Sequence, residues 1–289
     1  MIFFMNLRGV SRKGLLMNKT LLVLLSAVLA VSSCASVPGV QVRELPSAGE
    51  TEDDSIARIF RQAKTSGVLV LYDGASYRSF GNEPSRSTKE FVPASTFKMA
   101  NALIGIELGL TGPDEVFRWG GKKRALSSWE RDMTLSEAMK ASAVPVYQEL
   151  AGRIGPRRMA EYVRLLGFGN CRTDGEPDRF WLSGPLKITP RQEAEFAWLL
   201  ANGTLPVSSV AQRLVRGMLL IDSINGTEIY GKTGLSGDSA VQNGWLTGWI
   251  VRPRGRIISF SLNIDIDKDT PVSSRMEIVR DSLRALGLL

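Results

Sequence analysis

Strand-forming segments stand at both ends of this chain, and a long helical stretch lies between them. GVLVLYD from Gly67 and SYRSFG from Ser76, joined through a DGA turn, read as a hairpin. The β signal then disappears until TEIYGKTG, GWLTGWIVRP and RIISFSLNID, between Thr227 and Asp265. The intervening segments STFKMANALIGIELG, LSEAMKASAVPVYQELAGRIG, PRRMAEYVRLLGFG and TPRQEAEFAWLLANG have helical periodicity, and each ends on Gly, a common helix C-cap. A short helix at about Ser55 to Lys64 precedes the hairpin, another at about Ser208 to Leu220 precedes the later strands, and an amphipathic helix, Ser274 to Leu286, closes the chain. This order predicts an α/β fold of the α+β type. An antiparallel sheet is built from both chain ends with flanking helices, and a mainly helical lobe, about 95–220, is inserted between them. A site in such a fold falls in the cleft between lobe and sheet.

What chemistry that cleft can host is limited by one count. The chain has 289 residues and no histidine, which excludes Ser-His-Asp and Cys-His catalysis, histidine acid–base chemistry and histidine metal ligation. The two cysteines, Cys34 and Cys171, are too few for a thiolate metal site, and no carboxylate cluster with ligand spacing replaces them, so no metal is expected. Net charge is +7, but Lys and Arg are scattered, with GGKKR at Gly120 to Arg124 the densest group and no interleaved aromatics. That pattern reads as a solvated basic surface and not as a nucleic-acid site.

The N-terminus has a different logic. Arg8, Arg12, Lys13 and Lys19 precede the apolar run LLVLLSAVLAV, Leu21 to Val31, which is short for a bilayer span and suits a secretory signal. VSSC, Val31 to Cys34, resembles the bacterial lipobox, in which Cys34 becomes the lipidated first residue; plain signal cleavage nearby is the alternative. Met17 opens a conventional signal sequence, MNKTLL, and is a second candidate start. Residues 1–34 are thus expected to direct export to the periplasm, with membrane attachment through Cys34. The polar, Pro- and Gly-spaced stretch 35–54 reads as a tether, and 55–289 as the folded domain. Cys171 is left as a structural thiol.

Two short motifs carry the chemistry. In FVPASTFKM, Phe91 to Met99, Ser95 and Lys98 are three apart behind Pro93, on one face of a nascent helix where hydroxyl and amine can meet. A serine at a helix start also lies near unpaired N–H groups that favour developing negative charge. Alone, the pair is equally a terminal Ser with a snorkelling Lys. YGKTG, Tyr230 to Gly234, places a cation (Lys232), a hydroxyl (Thr233) and a glycine (Gly234) that lets a ligand lie alongside the strand; alone, it is equally an ordinary strand end.

Together with Ser142-Ala143-Val144 between them, the two match in order the S-x-x-K, S-x-N or S-x-V, and K-T-G elements of the penicillin-recognising serine enzymes. From about Gly67 onward, PASTFK, SAVPVYQELA, FGN at Phe168 to Asn170, WLSGPLKIT, YGKTG, GWLTGW and LNIDID resemble the class D, oxacillin-hydrolysing β-lactamases, enzymes of antibiotic resistance. Val144 stands where class A carries Asn, and no class A glutamate loop is evident. Phe168 departs from the family's usual Tyr, and Ser183 from a frequent Glu.

The resemblance implies that Ser95 attacks a β-lactam carbonyl and that water hydrolyses the acyl-enzyme. The backbone N–H groups of Ser95 and Leu235 would form the oxyanion hole. Lys98 would carry CO₂ from bicarbonate as a carbamate, the general base, held by the Trp181 indole, with no other cofactor. Val144 and Leu182 would keep the pocket dry, Ser142 would relay a proton, and Lys232, Thr233 and Arg275 would hold the substrate carboxylate. A D,D-peptidase and a non-turnover β-lactam sensor are the alternatives on the same scaffold. CO₂ reacts only with neutral amines, so apolar neighbours such as Phe97 and Met99 are expected to lower the pKa of Lys98 from about 10.4.

Overall fold

The computed structural model describes residues 50–237 and 240–289; Cys34 and the expected signal and tether up to residue 49 lie outside the described residues. In it, strands from the two ends of the chain pair in one sheet. Helix α1 (Glu50–Gln62) leads to the hairpin β1 (Gly67–Tyr72) and β2 (Tyr77–Gly81). After two 3₁₀ turns come α2 (Lys98–Glu107), the short ladder β3 (Val116–Phe117) and β4 (Met133–Thr134), then α3 (Leu135–Lys140), α4 (Val144–Ile154) and α5 (Pro156–Leu165). Next are α6 (Pro190–Asn202) and α7 (Ser209–Gly217), then β5 (Leu220–Ile224), β6 (Thr227–Ser236), β7 (Gln242–Val251), β8 (Ile257–Ile266) and α8 (Ser274–Ala285). The sheet order is β2-β1-β8-β7-β6-β5, antiparallel throughout.

The two faces of the sheet are built differently. On one face Leu69, Leu71, Phe260, Leu262 and Ile264 pack under Ile56 and Phe60 of α1 and Ile278, Val279 and Leu283 of α8. Each such side chain removed from water contributes about 1.5–3 kcal/mol. Along β8 the alternate residues Ser259, Ser261 and Asn263 face the other way and are also buried. Each has a partner: Ser259 Oγ donates to the Ala194 carbonyl of α6 at 2.7 Å, Ser261 Oγ is 3.0 Å from Thr247 Oγ1, and Asn263 Oδ1 accepts from Arg86 Nε at 2.5 Å. The face under α6 is thus a polar layer, paired except for Asn263 Nδ2, next to which the helical lobe packs its own core.

Several boundaries differ from those read in the sequence. Helix α1 begins at Glu50 and not at Ser55, since Asp53 and Asp54 suit the positive end of its dipole. The stretch from Leu135 to Gly155 is two helices, because Ser142 adopts φ 53° and Pro145 opens α4. Ala94–Phe97 is a 3₁₀ turn ahead of α2, which begins at Lys98. Leu220 belongs to β5, an exposed edge strand joined to β6 through Asn225-Gly226, both at positive φ; this Asn-Gly pair is a hairpin signal.

The centre of the sheet requires one glycine. Gly248 in β7 lies opposite Gly231 of β6, and a Cβ at 248 would lie 1.9 Å from the Tyr230 carbonyl oxygen. Backbone cannot yield as a side chain does. Gly248→Ala is expected to lower unfolding free energy in urea by about 3 kcal/mol, with a matching loss from the neighbouring site.

Candidate active site

The turn that carries Ser95 is fixed from three sides. Phe91 bridges Ile188, Trp245 Nε1 donates to the Val92 carbonyl at 3.0 Å, and Thr96 N–H donates to the Pro93 carbonyl at 3.2 Å. Ala94, just before the serine, has φ +50°, a left-handed conformation that costs about 1–2 kcal/mol for a residue with a Cβ. The 3₁₀ turn Ala94–Phe97 follows, and in a 3₁₀ turn residues i and i+3 eclipse. Ser95 and Lys98 are therefore stacked closely, with Lys98 Nζ 2.6 Å from Ser95 Oγ.

Lys98 is fully buried, the first residue of an apolar helix, with Nζ 5.5 Å above the Tyr147 ring. Burial pushes its amine down to about 7. The dry wall is aromatic: Phe97 stacks on Trp181 (5.3 Å between centroids) and meets Phe168 and Phe180 edge-on. Trp181 is fully buried, and its Nε1–H has no hydrogen-bond partner among the described residues. A buried donor without an acceptor is costly, and this one belongs to a ring stacked on Phe97, the residue before Lys98.

A second Ser–Lys pair faces the first. Lys232 Nζ donates to Ser142 Oγ at 2.9 Å and to the Thr233 carbonyl at 2.8 Å. Burial first, then the charges of Lys98 and Arg275, hold Lys232 well below the ordinary lysine value. Arg275, at the start of α8, donates from Nη1 to the Gly234 carbonyl at 2.6 Å, so three cations converge on the K-T-G strand. Gly234 runs along the Pro93 carbonyl, 3.0 Å from where a Cβ would lie, which sets β6 against the Ser95 turn. Leu235 follows it and is 37% exposed. Val144 and Leu182 are half-buried. A pocket of about 410 Å³ opens beside Lys232 and Thr233, walled by Met139, Met218, Ile221 and Met276.

Phe168 replaces a tyrosine without leaving a gap, since it packs against both Phe97 and Phe196. Asn170 is a loop tie, donating to the Pro185 carbonyl and accepting from Lys187 N–H; Ser183 is at the surface. Sequence reasoning missed Tyr147 under the lysine and Glu193 of α6, whose carboxyl contacts Thr96 Oγ1. Both come from segments distant in the chain; Tyr147 lies within SAVPVYQELA, but nothing in that segment shows that its ring meets Lys98. Cys171 is a free thiol that burial pushes up, as suits a structural role.

A serine on a buried lysine, with a second pair in which Lys232 of β6 holds Ser142 of the α3–α4 break, defines a serine acyl-transfer enzyme that works without histidine. Residues 57–284 match the family described as the penicillin binding protein transpeptidase domain. The chain is 35% identical over 243 residues to β-lactamase OXA-10 of Pseudomonas aeruginosa, covering 83% of this chain and 91% of that protein. It is 34% identical over 261 residues to β-lactamase OXA-48 of Klebsiella pneumoniae, covering 90% and 96%. Two solved structures, the class D β-lactamase YbXI from Nostoc and the class D FUS-1 (OXA-85) from Fusobacterium nucleatum subsp. polymorphum, each superpose with a TM-score of 0.76 at 34% identity. They cover 81% of this chain and 99% and 98% of theirs. The chain belongs to the class D β-lactamases, within the penicillin-binding transpeptidase family.

The aromatic wall is expected to support both folding and the lysine. Phe97→Ala should destabilise the protein by about 3–5 kcal/mol. It should also admit water beside Lys98, raising the pH at which the amine deprotonates, which differential reactivity of Lys98 toward an acylating reagent would show.

Proposed function

We propose that this protein hydrolyses β-lactam antibiotics through an acyl-enzyme on Ser95, with Lys98 bearing CO₂ as the base. The observation that carries this reading is the buried Lys98 amine, near neutrality and 2.6 Å from Ser95 Oγ, next in sequence to Phe97, on which stacks the Trp181 ring whose indole N–H has no acceptor among the described residues. Those residues fit the group: the Lys98 amine would bind it and Trp181 Nε1 would donate to it. When bound, CO₂ supplies a carboxylate base in a pocket where, among the described residues, no carboxylate hydrogen-bonds Ser95.

The chain's own residues then act as follows. Ser95 Oγ attacks the lactam carbonyl carbon as its proton leaves toward Lys98, and the C–N bond of the ring breaks. The lactam nitrogen takes a proton through Ser142 Oγ, which Lys232 holds at 2.9 Å. Ser95 and Leu235 backbone N–H groups stabilise the oxyanion, a contribution of about 10² to 10³ per donor. Lys232, Thr233 and Arg275 bind the substrate carboxylate, and Val144 and Leu182 exclude bulk water. Deacylation reverses the proton path, with water attacking the ester carbonyl. Because Lys98 must be unprotonated, activity rises with pH through about 7.

Turnover of nitrocefin against that of a D-Ala-D-Ala peptide tests the reaction. Many turnovers of nitrocefin and none of the peptide are expected; a single stoichiometric acylation marks a sensor, and peptide turnover marks a D,D-peptidase. Ser95→Ala should show no penicillin adduct by mass spectrometry. Stripping CO₂ should slow the wild type and bicarbonate restore it, and Trp181→Phe should need more bicarbonate. Turnover that ignores CO₂ throughout, with no carbon-13 carbamate signal, rejects the proposed base.

The lipobox-like VSSC leads us to propose a lipid-anchored protein of the periplasm. Expressed in a Gram-negative host, the full chain should fractionate with membranes and incorporate labelled fatty acid, and Cys34→Ser should abolish both. Absence of label in the wild type leaves simple secretion.

A further inference from the structure

Glu193 is a charged-type residue placed where charge is expensive. It lies in the first turn of α6, wholly buried, above the polar layer of the sheet. One carboxyl oxygen, Oε1, contacts Thr96 Oγ1, the hydroxyl next to the nucleophile Ser95. Oε2 makes no hydrogen bond, and the Thr247 hydroxyl that faces the carboxyl is also 3.0 Å from Ser261 Oγ.

Thr96 Oγ1 has a second neighbour, the Pro93 carbonyl oxygen at 2.8 Å. A hydroxyl carries one hydrogen, and a carbonyl only accepts. Both contacts are therefore made together only if the Glu193 carboxyl is the donor: Glu193 Oε1–H to Thr96 Oγ1, and Thr96 Oγ1–H to the Pro93 carbonyl. With Glu193 ionised, the single hydrogen of Thr96 turns to the carboxylate, and the Pro93 carbonyl keeps only the 3.2 Å bond from Thr96 N–H. That carbonyl precedes Ala94, at φ +50°, and borders Gly234, so it holds the strained entry to Ser95 against the oxyanion strand.

We propose that Glu193 is a positioning residue that works as a neutral acid: its proton completes a Glu193–Thr96–Pro93 chain that fixes the Ser95 turn, and losing that proton loosens the turn. This rests on Ser95 being the nucleophile. Burial pushes the Glu193 carboxyl up to about 7, against the weaker lowering effect of the Thr96 and Thr247 hydroxyls.

Charged and titratable groups on the surrounding elements are engaged elsewhere. Arg86, on the 3₁₀ turn beside α6, bonds Asn263, Asn243 and Asp265, and Tyr72 of β1 donates to the Gly74 carbonyl. Arg216 of α7 donates to the Ala201 carbonyl while Arg213 is exposed, and Lys98 is turned to Ser95. On α6 itself Arg191 and Glu195 are exposed, the latter accepting from Tyr77.

Two titrations near pH 7 thus oppose each other, Lys98 gaining competence as pH rises and Glu193 losing it. With saturating bicarbonate the first is suppressed. Wild-type kcat should then fall roughly tenfold between pH 6 and pH 8.5, with KM little changed, a loss in the range of a misplaced reacting group. In Glu193→Gln the amide donates to Thr96 at every pH, so the alkaline fall should disappear while low-pH activity is kept. Thr96→Val, lacking the hydroxyl, should be slow at all pH and without that limb.

Thermal unfolding gives a readout that needs no β-lactam. The folded-state value of Glu193 lies above its ordinary one, so its stabilisation is full below the ordinary carboxylate range and is lost as pH rises through about 7. Between pH 5 and pH 8 the wild type should lose about 3–6 °C relative to Glu193→Gln. Carbon-13 NMR of the wild type labelled at Glu carboxyls should show one signal titrating near 7. If every Glu signal titrates in the ordinary range, or if wild type and Glu193→Gln share one pH profile for both kcat and Tm, the proposal is overturned.

Discussion

The contact on which the site depends is Lys98 Nζ against Ser95 Oγ, inside a pocket that water does not enter. Depressing a lysine from its ordinary value to about 7 represents roughly 5 kcal/mol of differential solvation. A surface Ser–Lys pair would remain an ammonium and a hydroxyl. Here the helix that follows is apolar, Phe97, Phe168, Phe180 and Trp181 form one aromatic cluster, and Tyr147 closes the pocket beneath the amine. The lysine becomes a candidate base because the helical lobe desolvates it.

That desolvation creates a charge problem which the sheet side resolves. Lys98, Lys232 and Arg275 converge on one small region, where burial first and then the charges of Lys98 and Arg275 discourage the charge of Lys232. Lys232 is stabilised by Ser142 Oγ and the Thr233 carbonyl, and Arg275 by the Gly234 and Val272 carbonyls. None of those partners is a carboxylate, so no ion pair cancels these side chains. Such a site is positive, largely dry, and narrow in the chemistry it can perform.

The Ser95 turn is held by structure from far along the chain. Trp245 of β7 fixes Val92, Gly234 of β6 borders Pro93, and Glu193 of α6 reaches Thr96. The polar layer of β8 gives α6 partners to sit on, so the helix that carries Glu193 is itself fixed by Ser259 and its neighbours. A strained residue such as Ala94 persists only where its surroundings determine it this fully.

The sequence alone determined the sheet from both chain ends, most helix positions and the motifs around Ser95, Ser142 and Lys232, because periodicity, glycine caps and short spacings are local. It also excluded histidine chemistry outright, since a missing residue type needs no structure to interpret. The Asn225-Gly226 hairpin is legible in the sequence but unassigned there, with a helix expected to end at Leu220, which opens β5, and the break at Ser142 is masked by helical composition on both sides. Only the tertiary structure decided which residues desolvate Lys98, that the Trp181 indole lacks an acceptor, and that Glu193 meets Thr96 97 positions away. Burial and proton placement depend on which distant side chains surround a group, and no local pattern in the chain encodes that.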